Sequence, residues 1–431
     1  MREQSKYLKL AKIIAAKTPF YYGWVILATA GSTQLIRNVA ATLTLAIFLY
    51  PMSNDLGWSR TMIAGAASAG GLLASVTAPL VGWLIDKYGT KIILSISIVL
   101  LSLSTFLSSW VAMPIMFFAS YGVGRVIFNS PIQIGASVLV SRWFIQRRGR
   151  ANGILAFCHS VGMTLFPLLA SVLIAFNGWQ FAWQILGLVA ALAIFPVLLL
   201  TEDYPESIGV APDKFNNSNN TDYQNQDVDD HLKEPVWSLK NALKTPVLWQ
   251  ISFGGFLLYL IHGGTNTHLA AYFQDLSLGS STAGFAISLI AIFTGLGSLL
   301  WGWLSEKLSI NYCYAAISGI MAVTSFMFTT VETTYQAWTF SSLLGLSLGG
   351  LLVVPPVAVA NYFGRKSLGV IRGFCEPFYS TGQAIGVLIG GISFDLWASY
   401  DYSFLVLAIA GIAALKTTIT ATIPSQFEIS N

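Results

Sequence analysis

A chain of 431 residues that is 55% hydrophobic and 10% charged is too apolar for a soluble globular protein, which carries about 25% charged residues. Its net charge of +4 is spread over short connectors rather than gathered in a basic block, so nothing in it calls for a nucleic-acid partner. Residues 92–124, 151–201 and 333–364 contain no Asp, Glu, Lys or Arg, and each run can cross a bilayer, which takes about 20 apolar residues.

Runs of that length are helical spans, because outer-membrane strands have about 10 residues of alternating polarity. The first 18 residues are polar and basic, with too short an apolar stretch for a cleavable signal. The hydropathy predicts twelve spans: 22–50, 60–85, 91–110, 114–140, 150–176 and 180–200, then 246–273, 283–305, 311–330, 335–361, 370–394 and 402–422. The expected fold class is an all-α membrane protein of two six-helix bundles. Residues 1–200 form the N-terminal bundle and 246–431 the C-terminal one. The connector 201–245 contains "KFNNSNNTDYQNQDVDDH", has little to bury, and is expected to be largely disordered.

Lys and Arg fix the orientation. Nineteen fall in the N-terminal tail and in alternate connectors, whereas Arg60 stands alone on the other side. Basic residues are retained inside, so both termini and the central connector are expected in the cytoplasm of a cell such as a bacterium, with the spans in its inner membrane. The halves also resemble each other. At an offset of 220 residues "VGWLIDK" (81–87) meets "WGWLSEK" (301–307), and "GILAFCHSVG" (153–162) meets "GFCEPFYSTG" (373–382). A repeat split by a long connector is a mark of secondary transporters.

The connector after the second span reads "GWLIDKYGTK", a G-x-x-x-D-[RK]-x-G-x-[RK] pattern formed by Gly82, Asp86, Lys87, Gly89 and Lys91. On this motif and the twelve spans, the chain resembles the major facilitator superfamily over its whole length. "FYYGWV", "DLGWSR", "RWFIQRRGRANGI" and "NYFGRKSLGVIRG" resemble its bacterial branch near the monocarboxylate and oxalate/formate porters. The eighth span departs from that branch, since it holds no charge before Glu306. The resemblance implies transport by alternating access, with substrate between the halves, no cofactor and a monomeric protein. Physically, Asp86 at a helix end can face the partly positive N-terminus of span eleven and latch the cytoplasmic side. The bland alternative is a plain turn.

Arg37 and Arg125 lie at membrane depth, while the first six spans hold no deep Asp or Glu. A permanently charged guanidinium there faces a cavity or a partner. Two of them without a nearby acid suit an incoming carboxylate. The structural alternatives are that Arg125 hydrogen-bonds backbone carbonyls opened by Gly122, Gly124 or Pro131, and that Arg37 bridges spans. Gln34 and Asn38 flank Arg37, Asn129 follows Arg125 by one turn, and His159, Tyr379, His262 and Asn266 complete the candidate substrate set. His159, His262 and Glu376 are candidate proton carriers. Glu376 and Arg372 are also candidate gate partners. Cys158, Cys313 and Cys375 show no metal or disulfide spacing.

The leading expectation is therefore a secondary transporter of a small organic anion, a monocarboxylate foremost, coupled to protons or to anion exchange. A porter or exporter of a neutral solute with structural arginines, and a transporter-like receptor, are the alternatives. No nucleotide loop, nucleophile–base pair or metal cluster points to an enzyme.

Overall fold

The computed structural model describes residues 11–213 and 235–424; among them it contains helices and no strand. That is what a lipid environment demands, because each backbone N–H and C=O must be paired without water. Ten stretches are long and apolar enough to cross a membrane. One of these, Arg148–Leu200, is 53 residues long and bends midway. A further 30-residue helix, Leu368–Trp397, is more polar and falls outside the ten.

The chain divides into two compact units. The first comprises Met1–Ala151, Val161–Trp237 and Phe363–Gly373, and the second Asn152–Ser160, Ser238–Tyr362 and Phe374–Asn431. In the first unit, α1 (Gly23–Ile36) and α2 (Thr42–Leu56) are joined by a 3-10 turn, Arg37–Ala40. Then follow α3 (Arg60–Tyr88), α4 (Thr90–Leu107), α5 (Pro114–Asn129) and α6 (Pro131–Trp143). Next come α7 (Arg148–Ala191) and α8 (Ile194–Leu200). α7 loses helical geometry at Asn177 and Gly178, where Gly178 takes φ 81°, a left-handed value that favours glycine. α3 packs on α5, α1 on α6, and α4 on both α5 and α6. The Phe48 and Trp183 rings stack at 3.8 Å inside this unit, and Tyr121 meets Trp183 edge-on.

Two spans expected to be continuous are broken, and local chemistry accounts for both. Pro131 has no N–H and disfavours helical geometry at the residue before it; Ser130 sits at φ −123°, ψ −78° and separates α5 from α6. In the first span the Asn38 amide donates to the carbonyls of Gln34 (3.0 Å) and Leu35 (3.1 Å), which the continuing helix would otherwise use. The chain tightens into the 3-10 turn and leaves it at Ala41, which is extended.

The second unit contains α9 (Leu239–Ala242), α10 (Pro246–Asp275), α11 (Ser280–Lys307), α12 (Ile310–Phe328) and α13 (Thr334–Phe363). α14 (Leu368–Trp397) opens in the first unit and runs on into the second, and α15 (Asp401–Ile419) closes the series. α15 packs on α10 and α12 at small residues: a Cβ on Gly411 would strike Ala322 of α12.

Of the connector 201–245, residues 201–213 and 235–245 are described; the segment expected to be disordered, within 214–234, lies outside the described residues. Residues 201–213 form a strap tied to the first unit by its acidic side chains. Asp203 accepts from the Thr90 hydroxyl and from Lys91 N at 3.1 Å, capping α4. Glu202 pairs with Lys91 at 3.1 Å. The buried Asp213 carboxylate accepts from three successive backbone N–H groups, those of Ile145, Gln146 and Arg147, at 2.5–3.1 Å. Trp237 packs edge-on against Phe363 in the same unit. Composition misses this strap because its acids look like solvated loop residues, whereas Asp203 meets a helix N-terminus, Glu202 a lysine and Asp213 the backbone of a turn.

The strap yields a prediction. Asp213→Ala leaves three part-buried N–H donors without their acceptor and should cost about 1–3 kcal/mol. Thermal unfolding of the detergent-purified protein should show a lowered midpoint; an unchanged midpoint would deny the strap a structural role.

Candidate functional site

The two broken spans lie side by side and place both membrane-depth arginines of the first unit. Arg37 is only 4% exposed. Its Nη1 donates to the Phe128 carbonyl (2.8 Å), at the end of α5, and to Gln133 Oε1 (3.0 Å), in the first turns of α6. Arg125 answers in the opposite direction. Its Nη1 reaches the Ala40 carbonyl in the break of the first span at 3.4 Å, and the Tyr121 hydroxyl donates to the same oxygen at 3.0 Å. Each arginine therefore serves a carbonyl opened by the other span's break.

One ring joins the pair. The guanidinium carbons of Arg37 and Arg125 lie 4.5 and 4.6 Å from the centroid of Phe128. A guanidinium over an aromatic face is attracted by the ring quadrupole, more strongly where water is scarce. The half-buried Arg125 makes no ion pair among the described residues, and its Nε is buried without a hydrogen-bond partner. Room for it comes from α3: a Cβ on Gly70 would meet Arg125 Cβ at 2.7 Å. Asn129, one turn beyond on the same face of α5, is half-buried, with its side-chain amide beside Gly71 of α3.

The remaining candidates of the first span are engaged locally. Asn38 gives its amide hydrogens to α1 carbonyls, and Gln34 Nε2 reaches the Ile132 carbonyl at 3.4 Å. Phe128 and Gln133 escape a sequence reading. A phenylalanine in an apolar run carries no signal. Gln133 carries a faint one, an amide four residues after Asn129.

A second constellation of this unit centres on Asp86. Its carboxylate accepts from the N–H groups of Gly369 (3.0 Å) and Val370 (2.8 Å), in the first turn of α14, and pairs with Arg142 at 2.9 Å. Arg142 is 1% exposed and lies 4.7 Å from the Tyr204 ring centroid. Burial pushes the Tyr204 phenol above its ordinary value, the nearby Arg142 pulls it back, and the ring stays neutral. Arg365 donates to the Arg142 carbonyl (3.0 Å) and pairs with Glu206 of the strap (3.0 Å).

α3 meets α14 backbone to backbone here, since a Cβ on Gly82 would run into the Gly369 carbonyl. Gly89, at φ 90°, lies against the Asp203 carboxylate. Lys87 stands apart over the Trp83 ring, Lys91 holds Glu202, and Arg372 donates to the Ser137 hydroxyl at 2.7 Å.

The second unit holds the other candidates. His262 has a buried Nδ1 and packs edge-on against Tyr259, which stacks on Tyr379 at 5.1 Å. His159 and Glu376 are buried, 8% and 6% exposed, and Asn266 is exposed. His268 is bonded to the Val387 carbonyl at 2.9 Å. No His, Cys, Asp or Glu cluster among the described residues suits a metal ion.

With this geometry in hand, comparison with known proteins is informative. The Major Facilitator Superfamily model matches residues 31–359 and 251–423. The oxalate:formate antiporter of Oxalobacter formigenes is 24% identical over 418 residues, covering 90% of this chain and 92% of that protein. The "Probable hexose phosphate transport protein" of Chlamydia trachomatis is 25% identical over 386 residues, covering 84% of this chain and 83% of that protein. Among solved structures, the human organic anion transporter MFSD10 (TETRAN) superposes with a TM-score of 0.70 over 93% of this chain and 100% of that one, at 14% identity, which establishes the shared fold. The chain belongs to the Major Facilitator Superfamily: it is a multi-pass transporter of the cell membrane, not an enzyme.

Proposed function

We propose that this transporter carries a small organic anion, a monocarboxylate foremost, by alternating access through twelve spans with cytoplasmic termini, as a monomer, coupled to protons or to anion exchange. The observation that carries the reading is the guanidinium pair over Phe128, of which Arg125 lacks any acidic partner among the described residues. A permanent cation at membrane depth is costly unless something negative visits it. Relatives named for oxalate, formate and hexose phosphate support an anionic cargo. Arg37 and Arg125 are the proposed anion ligands, helped by Asn129. Gln34, Asn38, Tyr379, Asn266 and the two histidines remain candidate contacts, with His159, His262 or Glu376 as the proton carrier.

Asp86 is the proposed latch of the transport cycle. It holds the first turn of α14 by two charge-assisted bonds while Arg142 neutralises it. From Gly70, beside Arg125, it lies sixteen residues along α3, about 24 Å at helical rise. Releasing α14 would break contacts remote from the anion.

One observation favours a second reading, a neutral solute with structural arginines: both guanidiniums already serve break carbonyls. The 3.4 Å contact of Arg125 is too long to satisfy it, which is why the anion reading stands first.

Two outcomes test this account. In proteoliposomes, Arg125→Gln should lower uptake of small carboxylates at least about tenfold, the worth of one hydrogen bond to a charged group, without unfolding the protein. Wild-type flux of every anion tested would leave the arginine structural. Asp86→Asn, which loses the Arg142 ion pair, should slow flux at least about tenfold while the equilibrium Kd for the carboxylate moves less than about twofold. A Kd that weakens in step with flux would remove the latch role.

A further inference from the structure

In the second unit, small residues hollow one face of α12. Ala315, Ala316 and Gly319 leave little side chain there, and Leu343 of α13 with Leu415 and Ile419 of α15 wall a groove of about 600 Å³. Leu415 leans over the hollow, since a Cβ on Gly319 would meet its Cδ1 at 3.2 Å. Thr324, the one hydroxyl in the lining, donates to the Ile320 carbonyl at 2.7 Å. The groove therefore offers packing and no hydrogen bond.

Its dimensions select the occupant. From Ala315 to Thr324 it runs about 14 Å at helical rise, close to half of a hydrocarbon core about 30 Å thick. Over that length its volume leaves a cross-section of about 45 Å², narrower than a helix about 10 Å across but wide enough for an acyl chain. Lipid gives a helix surface no hydrophobic drive, so a chain is held where it is touched on several sides.

The mouth of the groove is polar and basic. Tyr312 is exposed on the same face of α12, one turn before Ala315 and Ala316, and the Asn311 amide donates to the Ile419 carbonyl at 3.0 Å. Lys416, exposed and next to Leu415, is long enough to carry its ammonium toward the membrane surface. At this end the described charges of the unit are Lys240, Lys244, Lys307 and Lys416 against Glu306, with Glu376 buried deeper in α14. The opposite end carries Asp275, Glu332, Asp395 and Asp401 and, among the described residues, no lysine or arginine.

We propose that this groove binds an anionic phospholipid from the leaflet at the basic end. One acyl chain lies against Ala315, Ala316 and Gly319, the phosphate meets the Lys416 ammonium, and Tyr312 sits at headgroup level. A choline headgroup fits less well, because its own cation faces the lysines.

The test uses the purified full-length protein in phosphatidylcholine vesicles. These carry a trace of lipid with a diazirine on its acyl chain and either a glycerol or a choline headgroup. Adducts formed on irradiation are mapped by peptide mass spectrometry. Phosphatidylglycerol should label residues 315–324 and 415–419 at least about fivefold more than phosphatidylcholine, the worth of one lysine near an anionic surface. Lys416→Gln should bring the two headgroups within about twofold of each other, whereas Lys416→Arg should keep the preference. Ala316→Trp fills the groove from an exposed position; it should remove labelling there and leave the exposed face of α4 labelled as before. Equal labelling by the two headgroups overturns the inference, as does phosphatidylglycerol labelling of α4 and the groove alike. Absence of lipid adducts from the groove overturns it too, and would leave that face to a second copy of the chain.

Discussion

Everything in the first unit is arranged around a guanidinium's inability to shed its proton. Arg37 and Arg125 sit in helices that a bilayer surrounds, and each needs electron density facing it. The fold supplies part of this by breaking two adjacent spans. The break after α1 opens the Ala40 carbonyl toward Arg125, and the break after α5 opens the Phe128 carbonyl toward Arg37. Irregular backbone is tolerated at this depth only where protein or a cavity satisfies it, so breaks and arginines stabilise one another. Phe128 supplies a π-face to both. The satisfaction is partial, and that partiality is what an anion could use.

The second arrangement is an ion network at helix ends. Asp86 lies between a helix N-terminus and Arg142, and the strap adds Asp203, Glu206 and the Tyr204 ring. A buried pair such as Asp86–Arg142 contributes little net stability, yet losing one member strands the other. Such a contact suits a device that makes and breaks as a unit. Its partners come from distant parts of the chain, α3, α6, the strap and the start of α14, so one event there is felt by several helices.

Much of this was open to a reader of the sequence. Long uncharged runs force helices, and the turn at 82–91 marks Asp86 by its glycines and flanking lysines. Arg37 and Arg125 stand out because lipid makes charge rare. Their partners do not stand out. Carbonyls belong to every residue, and only Pro131 hints at where one is freed. Phe128 is one of 27 phenylalanines, so its place between the arginines depends on packing that composition cannot express. The strap is hidden for the opposite reason: acids in a connector usually face water, and what binds Asp213 is three backbone N–H groups at a turn.

The central claim is that the two guanidiniums hold a transported anion. An experimental structure of the protein with a small carboxylate bound tests it most directly. The account predicts the carboxylate oxygens within hydrogen-bond distance of Arg125, with the long contact to the Ala40 carbonyl given up. A carboxylate bound elsewhere, with Arg125 still turned to Ala40 and Phe128, would contradict it.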